Sequence, residues 1–411
     1  MESWGQRLLA ASPLGRGFAR SEGGNVAVIF AVVLPMLVGG AGLGVETTYW
    51  YLARVNMQAA ADAAAYSGAM DKRTGAAAAS VIATATNTAA ASGFDLATGA
   101  IEVNTPPLTG AGGALAVEVI LTAQAQRFFT GMFTNSPVPL RARAVARYTN
   151  AGDACVLALN TTKSKAALFS GSTNLTLDGC SVMANSNAID AITAQGSALI
   201  STKCLISGGG VSITAGVTME CGAPVTKASP VADPFKDLPV PTPTGACLSD
   251  APAVLAPGRY CAGMSLKNTV SLGPGVYYVS GGDFQVNALA NVSGTGVTIY
   301  LSGSSHVSIN GTATVNLTAP TTGTYAGMLF FGDRAGTGNN TFNGTASSSL
   351  TGSIYFKSQA VNYLGNFTGD GGCTQIVADS VQWSGNTSVR ADCTSKGMVT
   401  IPALMLVQLV E

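Results

Sequence analysis

Eight cysteines carry the plainest chemistry in this sequence: Cys155, Cys180, Cys204, Cys221, Cys247, Cys261, Cys373 and Cys393. None precedes residue 155, and no two are spaced as C-x-x-C. A thioredoxin-type pair or a zinc ribbon therefore has no support. Taken in order, the cysteines form pairs separated by 14 to 25 residues, which suits four local disulfides: 155–180, 204–221, 247–261 and 373–393. Spacing alone leaves the connectivity open, and buried thiols in a cytosolic protein are the competing arrangement. Because every cysteine follows an apolar N-terminal run, an oxidising compartment is expected.

Acid–base chemistry has few candidates. Residues 151–411 hold thirteen acidic side chains, and the whole chain has one histidine, His306. Asp283 and His306 each open a short strand-like segment and are expected to stack as neighbours. Such a pair can move a proton, but in this setting it reads as a surface ladder or a packed turn. Asp370 lies in GDGG, and Asp333–Arg334 lie in GDRAG. Both are glycine-rich loops without a visible second ligand for calcium. Bond cleavage in polysaccharides needs convergent carboxylates, and none recur in register. No catalytic, cofactor-binding or metal site is expected, and the protein is read as a non-enzyme.

Composition narrows the function classes further. Charged residues make up 10% of the 411 and hydrophobic ones 47%, with 21 basic and 21 acidic side chains and no net charge. A disordered chain would show low hydrophobicity and high net charge. A nucleic-acid partner would require a basic excess to displace counterions. Both classes are excluded.

The elements that must position these residues begin with an anchor. No charge occurs between Gly23 and Val45, and about 20 apolar residues suffice to span a bilayer core. Residues 25–45 are therefore predicted to form one transmembrane helix, tolerant of Pro35. Tyr49, Trp50 and Tyr51 follow it at the level where aromatic rings prefer the headgroups. A cleaved signal peptide is the competing reading, but the helical pattern runs on without proline to Met70. Gly40 and Gly44 form a G-x-x-x-G spacing that permits close helix packing. Arg7, Arg16 and Arg20 precede the span, so the positive-inside rule predicts a cytoplasmic segment 1–24 with the remainder outside.

Residues 46–150 read as a small α+β region. Ala59, Ala63, Tyr66 and Met70 share one helical face, and 75–92 adds alanine-rich helix. Strand patterns follow at 100–104, 114–124 and 138–148. Between the last two, FFTGMF (128–133) reads as a short helix or turn with buried rings. Arg141, Arg143 and Arg147 fall on one strand face, read as solvated. A long helix, half in membrane and packed on a small antiparallel sheet, is a pilin-like plan.

Residues 24–69, GNVAVIFAVVLPMLVGGAGLGVETTYWYLARVNMQAAADAAAYSGA, resemble the N-terminal segment of TadG-like proteins of the tight-adherence (Flp) pilus system. The leading Gly-Asn, the central Leu-Pro, the glycine cluster, the aromatic turn and the alanine-rich run Val55 to Ala65 carry the likeness. No glutamate stands fifth after Gly23 or Gly24, unlike a prepilin processing site; Val28 and Ile29 occupy those places. The resemblance implies an inner-membrane protein of a bacterial pilus-assembly or secretion locus; with the arginine bias, this predicts a single-pass protein with its C-terminal domain periplasmic or surface-exposed. Other pilus-assembly membrane proteins would be its partners.

Residues 151–411 are rich in Gly, Ser, Thr, Asn and Val. From Gly275 onward, strand-like segments fall into triplets whose openers, beginning at residues 275, 296, 327, 352 and 374, are 21, 31, 25 and 22 residues apart. Segments at 155, 181 and 204 open three more turns. Three short strands per turn, stacked in parallel, make a right-handed parallel β-helix; an antiparallel β-sandwich is the alternative. Sequons such as Asn310, Asn316 and Asn343 read as side-chain ladders between turns. Residues 222–260 hold eight prolines, which cannot continue a ladder. This stretch is predicted to leave the β-helix, lie over its surface and be stapled by Cys247 and Cys261. The run Ile401 to Val410 is too short to span a membrane and reads as a last strand or a cover. Tyr277, Tyr278, Tyr300, Phe330, Phe331, Tyr355 and Phe356 lie on opener strands, where some must face inward as core stacks, so they establish no glycan platform; a surface glycan stays open as a further partner. A structural pilus-assembly role is the leading expectation. An adhesin-like or glycan-binding β-helix is the alternative, with a polysaccharide lyase or hydrolase behind it.

Overall fold

The computed structural model describes residues 25–108, 113–364, 366, 373–390 and 393–410. The predicted cytoplasmic segment 1–24, with Arg7, Arg16 and Arg20, and the loop containing Asp370 lie outside them. Two compact units emerge: residues up to 68 with 82–146 and 409–411, and residues 69–81 with 147–408.

Helix α1 (Asn25–Arg73), which lies in the first unit as far as residue 68, is one uninterrupted run containing Pro35. Helix α2 (Ala78–Ala91) begins before this unit and ends in it. Strands β1 (Ala100–Asn104) and β2 (Ala116–Ala125) pair antiparallel, with Asn104 opposite Glu118. β3 (Val138–Ala158) pairs with β2. The Gln58 side chain donates to the Arg143 carbonyl at 2.8 Å, tying helix to sheet. The buried face of α1 is Met57, Ala60, Ala61, Ala64, Ala65 and Ala69. The expected face was one position out of phase: Ala59 and Tyr66 are exposed, and Ala63 and Met70 only half-buried. Alanine fills both faces here, so hydrophobic contrast around the helix is too weak to fix its rotation.

The second unit is a parallel β-helix. Its coils do not stack in chain order. Residues 258–272 pair with 275–295, these with 297–318, then 328–351, 352–363 and 374–383, each in parallel register. The coil at 374–390 then lies on the coil at 154–178: Ile376 pairs with Val156, Val381 with Ala167 and Val389 with Leu177. The stack continues through 181–202 to 205–219. The chain therefore enters the stack partway along, winds to one end, and returns to the other end to wind back to its starting point.

The proline-rich stretch makes that return. Val225 bridges Ile206, Asn185 holds Val231 by two 2.8 Å hydrogen bonds, Tyr355 donates to Asp233 at 2.7 Å, and Cys247 bridges Arg259. These contacts step from one end of the stack to the other. Eight coil steps of about 4.8 Å come to about 38 Å, well within reach of an extended segment of this length.

This strap explains why the opener strands read as continuous apolar runs. Their inward residues, such as Tyr277, Ile299, Phe330, Ile354 and Ile376, form the core. Their outward residues, Tyr300, Phe331, Tyr355, Val377, Leu157 and Met183, form a second buried layer with Val231 and Phe235 of the strap and Ile401 and Ala403. A strand covered on both faces needs no polar alternation. The third-face strands, such as Asn174–Asp178 and Thr269–Leu272, alternate exposed and buried, because only one side is covered. The final strand, Ile401–Leu409, supplies part of the cover.

Candidate functional site

The apolar half of α1 is long enough and apolar enough to cross a membrane, and its apolar window is not buried at all. Gly40 and Gly44 have open space where a side chain would stand. Gly42 differs: an added Cβ would meet the Phe129 ring at 2.5 Å. Residues 126–136 lie against the helix here. Glu46, only 1% exposed, accepts hydrogen bonds from the amides of Phe128 at 2.7 Å and Thr130 at 2.9 Å. Tyr49 packs edge-on against Phe128, with centroids 5.1 Å apart. Trp50 donates its indole N–H to the Gln126 carbonyl at 3.1 Å, and the Arg127 guanidinium lies 5.2 Å above its ring. Arg127 also donates to the Ser136 carbonyl and the Thr130 hydroxyl.

The rings of FFTGMF are therefore not buried as expected. Phe128 is 62% exposed, Met132 81% and Phe133 79%, while Phe129 is half-covered by α1. A run of apolar residues in a sequence signals contact with something apolar without saying whether that is the protein's own core. Sequence reasoning also passed over Glu46, although it is the first charge after the apolar run.

The arginine stripe divides. Arg141 is exposed, but Arg143 donates from Nε to the buried Glu118 at 2.6 Å. Glu118 also accepts from Asn104 at 2.9 Å and from the Leu108 amide at 3.2 Å. Burial pushes the Glu118 carboxyl up. The Arg143 and Asn104 side chains and the Leu108 amide outweigh it and hold the group below its usual range.

In the β-helix unit the four bridges are Cys155–Cys180, Cys204–Cys221, Cys247–Cys261 and Cys373–Cys393, with Cα atoms 5.4 to 5.7 Å apart. One circuit of chain returns to a spot directly above its start, so cysteines about one turn apart meet at a corner. The third bridge fastens the end of the strap to the coil at 258–272.

Asp283 and His306 are neighbours, with Oδ1 3.1 Å from Nδ1 and 3.1 Å from the His306 amide. Both side chains are 39% exposed, and Nδ1 also faces the Ser304 carbonyl at 3.2 Å. The pair closes a turn between coils. Asp333 accepts from the amides of Gly303 and Ala335, both at 2.9 Å. Arg334 donates to the Phe235 and Leu238 carbonyls at 2.6 and 2.7 Å and clamps the strap. Among the described residues no group of three His, Cys, Asp or Glu is placed to hold a metal ion. Of the opener-strand aromatics only Tyr278 is partly exposed; the rest are buried, so they form no stacking platform for a glycan. Asn316 stands in register between Ser293 and Ser349, a polar rung between coils.

No curated protein and no solved structure is significantly similar to the chain. Residues 24–71 match the Tad family, described as "Putative Flp pilus-assembly TadE/G-like". The matched stretch covers nearly all of α1, including the open glycine face and Glu46. The N-terminal segment of the chain is thus similar to a TadE/G-like Flp pilus-assembly domain, and it is carried in front of a parallel β-helix.

Proposed function

We propose that the protein is a membrane-anchored structural component of Tad/Flp pilus assembly, acting through protein–protein contacts rather than bond-breaking chemistry. The observation that carries this reading is the coincidence of the TadE/G-like match with a helix whose apolar half is bare. Residues 25–45 cross the inner membrane once, the N-terminus is cytoplasmic, and the β-helix lies on the periplasmic or outer side. Four disulfides confined to the β-helix unit support an oxidising compartment for it. The open face at Gly40 and Gly44 suits close approach of a second membrane helix.

The non-enzymatic reading is supported by what the candidate groups already do. Asp283, His306, Asp333 and Arg334 are each engaged in holding turns or the strap. The test is complementation of a deletion strain. Wild type and the single changes Asp283→Ala, His306→Ala and Asp333→Ala are expected to restore pili, and deletion of residues 25–70 is expected not to. A well-folded carboxylate variant that loses function together with a polysaccharide-cleaving activity would replace this reading with an enzymatic one.

A further inference from the structure

The segment 126–136 has a layered chemistry. Its polar groups, the Arg127 guanidinium and the Phe128 and Thr130 amides, meet Glu46, Tyr49 and Trp50 at the end of the apolar run. The Phe129 ring continues past that layer and lies against Gly42, one turn toward the N-terminal half of α1. Phe128 and Phe129 line one apolar concavity with Val38, Ala41, Gly42 and Val45. A helix rises 1.5 Å per residue, so Gly42 is about 6 Å and Val38 about 12 Å along the axis from Glu46, inside the span. The other side chains of the loop, Met132 and Phe133, are left with four-fifths of their surface bare.

We infer that residues 128–133 are a second membrane-inserted element, entering the hydrocarbon of the leaflet from which α1 emerges. The inference rests on the reading that residues 25–45 span the bilayer. Three observations select lipid as the occupant. The loop is continuous with the bare apolar surface of the helix, where Val38 and Val45 are themselves 57% and 73% exposed. The loop amides meet Glu46, where the charge-free run of the helix ends, and Phe129 meets Gly42 one turn inside that run. Its boundary residues, Trp50, Tyr49 and Arg127, combine apolar bodies with polar tips, which favours the headgroup level. Glu46 serves as the fastener: its carboxylate satisfies two loop amides that would otherwise face the membrane boundary unpaired. With two inserted elements at one end, the small sheet would be held at a set height and rotation above the bilayer, instead of swivelling on a single helix.

Carbene photolabelling decides the matter. The full-length protein is reconstituted in phosphatidylethanolamine–phosphatidylglycerol vesicles containing a phospholipid with a diazirine on its acyl chain. It is then irradiated and mapped by mass spectrometry. Label is expected on residues 25–45 and also on 128–133. The triple change F128S/M132S/F133S is expected to lose the loop label and keep the helix label. Label on the helix but not on the wild-type loop overturns the inference and leaves the anchor intact; absence from both overturns the anchor reading as well. A second arm places benzoylphenylalanine at Phe133 in cells. Lipid adducts support the inference, whereas a crosslink to another membrane protein, or to a second copy of this chain, overturns it in favour of a protein occupant.

Discussion

Replacing Arg334 by alanine puts the strap to a quantitative test. The guanidinium donates to two strap carbonyls at 2.6 and 2.7 Å and to the Tyr355 hydroxyl at 3.2 Å, and it lies over the Phe331 and Tyr355 rings. A hydrogen bond involving a charged group contributes about 1.5–3 kcal/mol, and a cation over a ring adds about 0.5–1 kcal/mol at a partly exposed site. Arg334 is half-buried, so the low end applies, and the two short strap bonds with one ring contact come to about 3–4 kcal/mol, the long bond to Tyr355 being left out. In a folded unit of this size 1 kcal/mol shifts the melting temperature by about 2–4 °C. Arg334→Ala should therefore lower the melting temperature of the β-helix by roughly 6–16 °C. Tyr355→Phe removes a hydroxyl that donates to Asp233 and accepts from Arg334. It should cost about 1–2 kcal/mol, and the double change should cost less than the sum because the two share partners. Melting of the full-length protein in detergent, with limited proteolysis mapped by mass spectrometry, reads both effects. The variant should be nicked first between residues 231 and 247. A strap that stays as resistant as in wild type, with a melting temperature within about 1 °C of it, would refute the clamp.

Acid should loosen the first unit through Glu118. Its carboxyl titrates below the ordinary value of 4.5, so its contribution is fully present above about pH 5 and is lost as pH falls through the lowered folded value. Glu118→Gln should flatten that dependence and cost about 1–3 kcal/mol at neutral pH by replacing the charge-assisted bond from Arg143 with a neutral one, as read from melting between acidic and neutral pH. Removing the Cys155–Cys180 bridge as a serine pair opens a 25-residue loop and should cost about 3.5 kcal/mol on the chain-entropy estimate. Non-reducing peptide mapping of the wild type should return the four sequence-local pairs and no free thiol.

Much of the architecture is legible because coil periodicity writes itself into the chain. Openers at 275, 297, 328, 352 and 374 carry continuous apolar residues, and third strands such as 291–295 and 314–318 largely alternate. Three of the cysteine pairs follow from the same periodicity, since one turn of chain brings a residue back over its start, while Cys247–Cys261 joins the strap to a coil. Stacking order is not legible. Nothing local in Ile376 says that it pairs with Val156 rather than with a later coil, since every coil edge offers the same backbone groups. The eight prolines mark where the ladder stops, but not that the strap runs back along the stack. At the anchor, the apolar run was plain, while the bare loop at Phe128, Met132 and Phe133 was not. Local hydrophobicity cannot distinguish a protein core from a bilayer, and only the position of Gly42 and Glu46 beside the loop makes the difference.

Exchange of residues 24–71 for an unrelated single-pass helix of equal length, in a cell that builds Flp pili, measures the assembly role most directly. The chimera must still be membrane-inserted and carry the four disulfides, so that only the TadE/G-like segment is lost. Surface pili counted by electron microscopy should disappear. Pili at wild-type number on cells carrying only the chimera would contradict a role exerted through this segment's contacts.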